Sequence, residues 1–436
     1  MLPTLYRALL FIFALPHLSD LAVIKTDILI IGAGPAGATT ALFLAQKNIP
    51  CVIADKAKFP RDKICGDALS GKTVEVLRKL NPDFLKEIAT DENFLPSWGV
   101  TFFSPNGNSL RVPFKKKDIN SSFMGSGGAP GFISKRIDFD NWLVNKLKPE
   151  KQIELYEECE IRNYRHGNDC IIAESKDGKT FRTKLLIACD GAYSSFTKDV
   201  AGIKTEPEHN CFGLRAHYKN VSGLDSENFI ELHFLKEFLP GYFWIFPLPN
   251  GYANVGVGMR ADKASSNKIN LKKSFEEILV KNEVIADRFS KAEKICEVKL
   301  FGLPLGSKKR KLSGAHFMLC GDAAQLIDPF TGEGIGNAMF SGMFAAQQAE
   351  KCMAEKNFSA KFMCQYDEHL YKRLWSELLL SYRMQQLVNF PSLFNFVVQK
   401  ANSNKMLGET ISCMFEDLDM RARLKNPLFY LKLLFS

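Results

Sequence analysis

The hydrophobic pattern near the start of the chain alternates between two periods. Residues 26–31 form a short apolar run of strand character, and residues 38–46 follow with the spacing of a helix. A second apolar run, residues 51–54, ends in Asp55. Strands that alternate with helices in this way form parallel sheets, so the pattern predicts an α/β fold that begins with a Rossmann-like unit.

The turn between the first strand and the first helix is rich in glycine. Gly32 permits a tight turn, Gly34 lets the backbone approach a pyrophosphate, and Gly37 allows close packing of the helix on the strand. The N-terminus of the helix offers free N–H groups to phosphates. Asp55, 18 residues beyond Gly37, can accept hydrogen bonds from a ribose diol. The sequence therefore predicts a dinucleotide site whose candidate residues are Gly32, Gly34, Pro35, Ala36, Gly37, Asp55 and Lys56.

Two later apolar runs also end in polar residues. Residues 185–189 precede the pair Asp190–Gly191. Residues 316–320 precede the pair Gly321–Asp322, after which a glycine-rich turn leads into a helix over residues 338–346. Ligands bind at the carboxyl ends of strands in open α/β sheets, so we expect these residues to lie beside the nucleotide. The candidates here are Asp190, Gly191, Gly321, Asp322, Gly332, Gly334, Ile335 and Gly336.

These three blocks together resemble the FAD-dependent group-A monooxygenase and geranylgeranyl reductase superfamily, whose fold is of the p-hydroxybenzoate hydroxylase type. The resemblance extends over about residues 25–350 and implies FAD as the cofactor, with the first block at its ADP moiety. It implies that the Asp190–Gly191 pair lies near FAD and an entering nicotinamide, and that Asp322 binds the ribityl chain. Residues 133–143 resemble the superfamily's Arg-x-x-Phe-Asp-x-x-Leu helix start, which implies that Arg136 lies along the cofactor.

Two further blocks narrow the resemblance to geranylgeranyl reductases. Residues 60–70 resemble that family's Lys-x-Cys-Gly-Asp segment, and residues 242–247 resemble its Tyr-x-Trp-x-Phe-Pro block. Flavin halogenases have Trp-x-Trp-x-Ile-Pro at the second block, from which this chain departs at the first and fifth residues. The family position of Cys65 and Gly66 implies contact with the flavin on its substrate side. We therefore predict that Cys65 donates a proton or positions the substrate, and the other catalytic candidates are Tyr242 and Trp244.

The resemblance implies an FAD-dependent reductase of carbon–carbon double bonds in an isoprenoid or polyprenyl lipid, or in a quinone side chain. Aromatic faces would stabilise positive charge that develops on such a substrate and would line an apolar pocket. The aromatic candidates are Trp98, Phe102, Tyr242, Phe243, Trp244 and Phe246, although ordinary core packing explains any single phenylalanine better. Three other interpretations stay open: a monooxygenase that hydroxylates an aromatic or lipid substrate, a quinone or electron-transfer oxidoreductase, and an inactive lipid-binding protein.

Composition limits the cofactors and partners. The chain has 436 residues, 35 phenylalanines and a formal net charge of +9. Its 11 cysteines are scattered, with no two closer than 11 residues, which excludes a zinc or iron–sulfur site built on local spacing and indicates reduced thiols of a cytoplasmic protein. The electron donor is either NAD(P)H or a ferredoxin-type protein, and the positive charge would suit an acidic protein. Nucleic-acid binding is not expected, since the basic runs lack interleaved aromatics.

Several segments raise the question of a membrane surface. Residues 1–24 are predicted to be a dispensable extension or a short surface anchor, since the apolar run at 8–15 is too short to cross a bilayer. The basic runs Lys115–Lys117 and 308–311 are expected to be solvated turns, or else contacts to a diphosphate or an anionic surface. The apolar residues 427–435 either cover the substrate cavity or lie in a membrane interface, so the protein is expected in the cytoplasm or peripherally at the inner face of the membrane.

The resemblance also predicts how the chain is divided. Because the blocks that resemble FAD-binding segments are far apart in sequence, the FAD-binding domain must be split. The predicted parts are an N-terminal extension (1–24), an FAD-binding domain (25–95, 130–200 and 300–350), a β-sheet substrate domain (96–129 and 201–299) and a helical C-terminal cap (351–436).

Overall fold

The computed structural model describes residues 23–114 and 128–403. Most of the N-terminal extension (1–24), the basic run Lys115–Lys117 and the apolar segment 427–435 lie outside the described residues. Among the residues that are described, no helix combines the length and the apolar character needed to cross a bilayer.

A mostly parallel sheet forms the first part of the fold. It contains β1 (Ile24–Ile31), β2 (Cys51–Ala54), β8 (Ile153–Tyr156), β9 (Ile161–His166), β10 (Ile171–Ser175), β11 (Thr180–Ala188), β18 (Ser313–Gly314) and β19 (Phe317–Leu319). The strand order is β18-β19-β11-β1-β2-β8, and β10 joins β9 to β11 by antiparallel pairing. Ile30 of β1 lies between Ile53 and Ile187 in parallel register, and all three are buried. Burial on both faces explains the continuous apolar runs, and the predicted Rossmann-like α/β fold is confirmed.

A second sheet of eight strands is mainly antiparallel. It contains β5 (Gly99–Phe103), β6 (Ser109–Pro113), β12 (Asn210–Lys219), β13 (Ile230–His233), β14 (Tyr242–Leu248), β15 (Tyr252–Arg260), β16 (Glu293–Lys294) and β17 (Lys299–Pro304). The order is β16-β12-β15-β14-β13-β5-β6, and β17 also pairs with β12. Strand β17 therefore belongs to this sheet, although the sequence places residues from 300 onward in the FAD-binding domain, because its backbone completes the ladder beside β12.

A small three-stranded sheet lies between the two larger ones. It has the order β3-β7-β4 and consists of β3 (Ala68–Leu69), β4 (Leu95–Ser97) and β7 (Gly131–Ile133). Successive residues of β7 point to opposite faces, so Phe132 joins the core around the first sheet and Ile133 joins the core of the second. This strand thus ties the two cores together.

Eleven helices are present in the described part of the chain. They are α1 (Pro35–Gln46), α2 (Gly71–Leu80), α3 (Pro82–Thr90), α4 (Arg136–Asn145), α5 (Ser195–Asp199), α6 (Ala261–Ser266), α7 (Leu271–Lys281), α8 (Glu283–Phe289), α9 (Ile335–Glu355), α10 (Ala360–Leu387) and α11 (Pro391–Ser403). The predicted helical C-terminal region is confirmed by α10 and α11. Helix α9 begins at Ile335, ahead of the predicted start at Ala338, because the Glu333 carboxyl accepts the Gly336 N–H at 2.6 Å and caps an extra turn.

Candidate active site

A cavity of about 750 Å³ lies where the carboxyl edge of the first sheet meets β14 and β15 of the second. Its volume is within the usual range of ligand and cofactor sites. Two of the predicted site residues, Gly37 and Gly336, do not line it. The predicted residues that do are Gly32, Gly34, Pro35, Ala36, Asp55, Lys56, Cys65, Gly66, Arg136, Asp190, Gly191, Tyr242, Trp244, Gly321, Asp322, Gly332, Gly334 and Ile335.

The glycine turn before α1 is held by backbone packing. Gly32 has a φ of +94°, and a Cβ there would lie 2.5 Å from the carbonyl oxygen of Cys189. A Cβ on Gly37 would lie 1.8 Å from the carbonyl oxygen of Gly32, so Gly37 supports the turn from behind instead of lining the cavity. The turn delivers the chain to Pro35, where α1 begins and where the N–H groups of its first turn can bind phosphate.

Asp55 closes the same corner of the cavity. Its Oδ2 accepts the Ala33 N–H at 2.7 Å, and its Oδ1 accepts the Ala57 N–H at 2.8 Å. Each carboxylate oxygen can accept a second hydrogen bond, so the carboxylate is both positioned and still able to bind a ribose diol.

Asp190 lies at the carboxyl edge of the first sheet and has an unpaired hydrogen-bond acceptor. Its Oδ1 is buried and has no hydrogen-bond partner among the described residues. Burial raises the pKa of this carboxyl to about 6. An acceptor left unpaired in this way fits a ligand that donates a hydrogen bond, as the hydroxyl groups of FAD do. At the end of the neighbouring strand β19, Asp322 lines the same cavity and pairs with Lys63 at 2.8 Å.

Arg136 lines the cavity and forms an ion pair with Asp140. Its Nε and Nη2 donate to the two oxygens of Asp140 at 2.6 and 2.7 Å, and Arg61 donates to the same carboxylate at 2.6 Å. Burial acts to lower the pKa of Arg136, but the Asp140 carboxylate and the Cys65 thiol outweigh it and raise that pKa. Arg136 thus stays charged beside Cys65.

The segment around Cys65 is joined to the second sheet by a buried polar chain. His217 Nε2 lies 2.8 Å from Asp67 Oδ2, and Asn254 Nδ2 donates to the same oxygen at 2.8 Å. Asn254 also donates to the Cys65 carbonyl at 2.7 Å and accepts the Trp244 indole N–H at 2.9 Å. Although burial lowers it, the Asp67 carboxylate raises the pKa of His217, so the pair favours the imidazolium form.

Sequence reasoning missed three polar residues near this site. Arg215, 1% exposed, lines the cavity and donates through Nη2 to Asp62 at 2.8 and 3.0 Å, while His217 and Asn254 belong to the polar chain. Arg215 and His217 are polar residues two positions apart in the middle of β12, so they share one face of that strand. That alternation is the signal that could have found them.

Three of the six aromatic candidates line the cavity. Tyr242, Trp244 and Phe246 alternate along β14 and line the cavity. Phe243 points to the opposite face of the strand and is buried in the core there, which corrects its assignment. Phe102 and Trp98 are likewise not among the lining residues, since Phe102 is buried and stacks on Phe330 at 6.0 Å.

The second basic run has partners within the chain. Lys308 pairs with Glu206 at 2.9 Å, and Arg310 lies 3.9 Å from the same carboxylate. Lys309 lies over the rings of Tyr371 and Trp375 at 5.5 and 5.1 Å. These contacts favour the interpretation of this run as an ordinary turn.

Comparison with known proteins agrees with the geometry. Residues 25–347 match the family described as FAD binding domain. The digeranylgeranylglycerophospholipid reductase of Methanococcus vannielii is 26% identical over 403 residues, which cover 90% of this chain and 92% of that protein. The resemblance to geranylgeranyl reductases and the prediction of FAD as cofactor are thereby confirmed.

Solved structures show the same fold. A geranylgeranyl bacteriochlorophyll reductase-like protein from Thermoplasma acidophilum superposes with a TM-score of 0.74 at 22% identity, over 90% of this chain and 96% of its own. A flavin-dependent brominase superposes with a TM-score of 0.73 at 20% identity, over 94% of this chain and 99% of its own. At these identities the likeness concerns the fold, which hosts more than one chemistry.

Proposed function

This chain belongs to the FAD binding domain family, and from that premise we propose that it reduces carbon–carbon double bonds of an isoprenoid lipid. It is an FAD-dependent oxidoreductase. The observation that carries the proposal is that the aromatic row of β14, the Cys65 segment and the glycine turn before α1 line one cavity. An apolar lipid chain and a flavin would both bind to surfaces of this cavity.

The residues at the sheet edge would hold FAD. The N-terminus of α1 would bind the pyrophosphate, Asp55 the ribose diol, and Asp190 and Asp322 the hydroxyl groups of the rest of the cofactor. Reduced FAD supplies a hydride when it is bound. The protein's own part is to orient the lipid, exclude water and provide a proton.

Tyr242, Trp244 and Phe246 would bind the isoprenoid chain. Their rings lie along one face of a strand, with successive ring centroids 6.1 and 6.3 Å apart. Aromatic faces stabilise the positive charge that develops when an alkene is protonated, and the same faces exclude water. We assign Cys65, which lies beside Arg136 in this wall, to positioning the substrate or donating the proton.

The remaining partners follow from the chemistry. Either NAD(P)H or a ferredoxin-type protein would supply electrons to the flavin. Peripheral contact with a membrane would give access to a lipid substrate. Helix α11 has exposed apolar side chains and follows Val388, which lines the cavity. These side chains therefore support membrane contact near the cavity.

One experiment tests the function. FAD-loaded protein, reduced under anaerobic conditions, is mixed with a geranylgeranyl lipid, and the product is weighed by mass spectrometry. We expect each reduced double bond to add the mass of two hydrogen atoms, with no change in a matched lipid whose chains are already saturated. A gain of one oxygen atom that depends on air would overturn the reductase and favour the monooxygenase.

A further inference from the structure

A cluster of buried charges lies beside the cavity where α2, α9 and α10 meet. Lys72 Nζ lies 3.1 Å from Glu377 Oε2 and donates to Asn337 Oδ1 at 3.2 Å. Lys72 and Glu377 are each 1% exposed. Arg373 donates to the other oxygen of Glu377 at 2.8 Å. Glu377 is therefore an anion held between two cations.

Glu333 joins this cluster to the cavity. It lies between Gly332 and Gly334 in the turn before α9, and it lines the cavity. Its Oε1 accepts the Ser70 hydroxyl at 3.0 Å and the Gly336 N–H at 2.6 Å. Its Oε2 is buried and has no hydrogen-bond partner among the described residues. A charge on that oxygen would cost more free energy than a neutral carboxyl at the same place.

The charges around Glu333 do not balance if every carboxyl is ionised. Lys72 and Arg373 supply two positive charges, and both of these side chains already pair with the Glu377 carboxyl. The Asp328 carboxyl also belongs to this group, and its Oδ1 accepts the backbone N–H groups of Phe330 and Thr331 at 3.0 and 2.9 Å. Burial raises the pKa of Glu333, and the charge of Asp328 adds to this; Lys72 and the two hydrogen bonds to Oε1 oppose it without cancelling it.

The neighbouring phenol does not remove this proton. Tyr242 Oη donates its own hydrogen to the Thr331 carbonyl at 3.1 Å, and burial raises the pKa of Tyr242, so the phenol stays neutral. The unpaired Oε2 and the excess of carboxyls over cations thus favour a neutral Glu333 at the edge of the cavity.

We propose that Glu333 is the acid that supplies the proton for double-bond reduction, an inference that rests on the proposed function. The O–H bond of the carboxyl breaks as one alkene carbon forms a C–H bond to that proton. The other carbon takes the hydride, whose two electrons come from reduced FAD, the reductant of the proposed function. Glu333 is left as a carboxylate and regains a proton from solvent before the next turnover, and Cys65 retains the role of positioning the substrate.

The Glu333→Gln substitution separates this role from folding. The amide keeps an oxygen for Ser70 and Gly336 but cannot supply an acidic proton. We expect unchanged FAD content and unchanged flavin reduction by dithionite, with lipid reduction slowed about 10²- to 10⁴-fold, the usual effect of losing a general acid. Glu333→Asp should recover part of the rate. Glu350→Gln on α9, the helix that follows Glu333, is the matched control and should keep the wild-type rate, because Glu350 pairs with Lys47 at 3.3 Å near the surface.

A second readout needs no turnover. The infrared difference spectrum between wild-type and Glu333→Gln FAD-loaded protein at neutral pH should contain the carbonyl band of a neutral carboxylic acid, and the difference between wild type and Glu350→Gln should lack it. A wild-type minus Glu333→Gln spectrum without that band, or an unchanged lipid-reduction rate in that variant, would overturn the role of Glu333 alone. If wild-type protein leaves the lipid unreduced, the proposed function itself fails and the role of Glu333 fails with it.

Discussion

The indole N–H of Trp244 donates a hydrogen bond of 2.9 Å to Oδ1 of Asn254. The amide nitrogen of Asn254 then uses both of its hydrogens, one on the Cys65 carbonyl and one on Asp67. One buried side chain therefore links the aromatic row of β14 to the Cys65 segment. The Asn254 amide thus adds to the links that His217 and Arg215 make between the second sheet and the Cys65 segment.

Asn254→Leu should be strongly destabilising. The substitution keeps the volume but leaves the Trp244 N–H, the Cys65 carbonyl and Asp67 each short of a partner, at about 1–3 kcal/mol for each buried group. We expect the free energy of unfolding, measured by urea denaturation, to fall by about 3 kcal/mol or more. Asn163→Leu at an exposed position of β9 is the control, and its effect should stay within about 0.5 kcal/mol. Equal stability of the two variants would contradict the link.

The same polar chain shows which features of the site could be predicted from the sequence and which could not. Gly32 and Asp55 were predictable because the turn and the strand end that bind a nucleotide are local features of one βαβ unit. Asp67 and His217 lie 150 residues apart, so their pairing depends on how the two sheets meet. The block containing Phe243 was predictable as a segment, but the face that each ring occupies depends on the pleat of β14 within the folded sheet.

Gly32→Ala should abolish FAD binding. The added Cβ would lie 2.5 Å from the Cys189 carbonyl at a φ of +94°, so the turn that leads into α1 must open. Gly202→Ala is the matched control, because Gly202 also has a positive φ, +69°, but a Cβ there meets nothing within 4 Å. We expect purified Gly32→Ala to be colourless and Gly202→Ala to carry flavin absorbance at the wild-type ratio. Flavin retained by Gly32→Ala would mean that this turn does not bind the cofactor.

Cys296 should be alkylated at unusually low pH. Its sulfur accepts the His217 backbone N–H at 3.2 Å and lies 3.6 Å from Arg215 Nη1. Burial acts to raise the pKa of this thiol, but hydrogen bonding to His217 and the charge of Arg215 lower it to about 7. The thiolate fraction at pH 7 is then about one half, against about 3% for an ordinary thiol. The rate of iodoacetamide labelling at Cys296, followed by peptide mapping as a function of pH, should have its midpoint near pH 7. This labelling should be absent from Cys296→Ser. A midpoint above pH 8 would contradict the proposed effect of His217 and Arg215 on the thiol.

The exposed side of α11 should carry membrane contact. Leu393 and Phe396 are 48% and 44% exposed, while Phe394 of the same helix is buried against the second sheet's core. Each exposed side chain can remove about half of its surface from water at a lipid interface, a gain of about 1 kcal/mol apiece. The double substitution Leu393→Ser/Phe396→Ser should therefore weaken sedimentation with lipid vesicles by about tenfold or more. Val280→Ser/Val284→Ser removes two apolar side chains that are still more exposed, at 76% and 65%, on α7 and α8, so equal losses in both double variants would show general hydrophobic adhesion and no contact through α11.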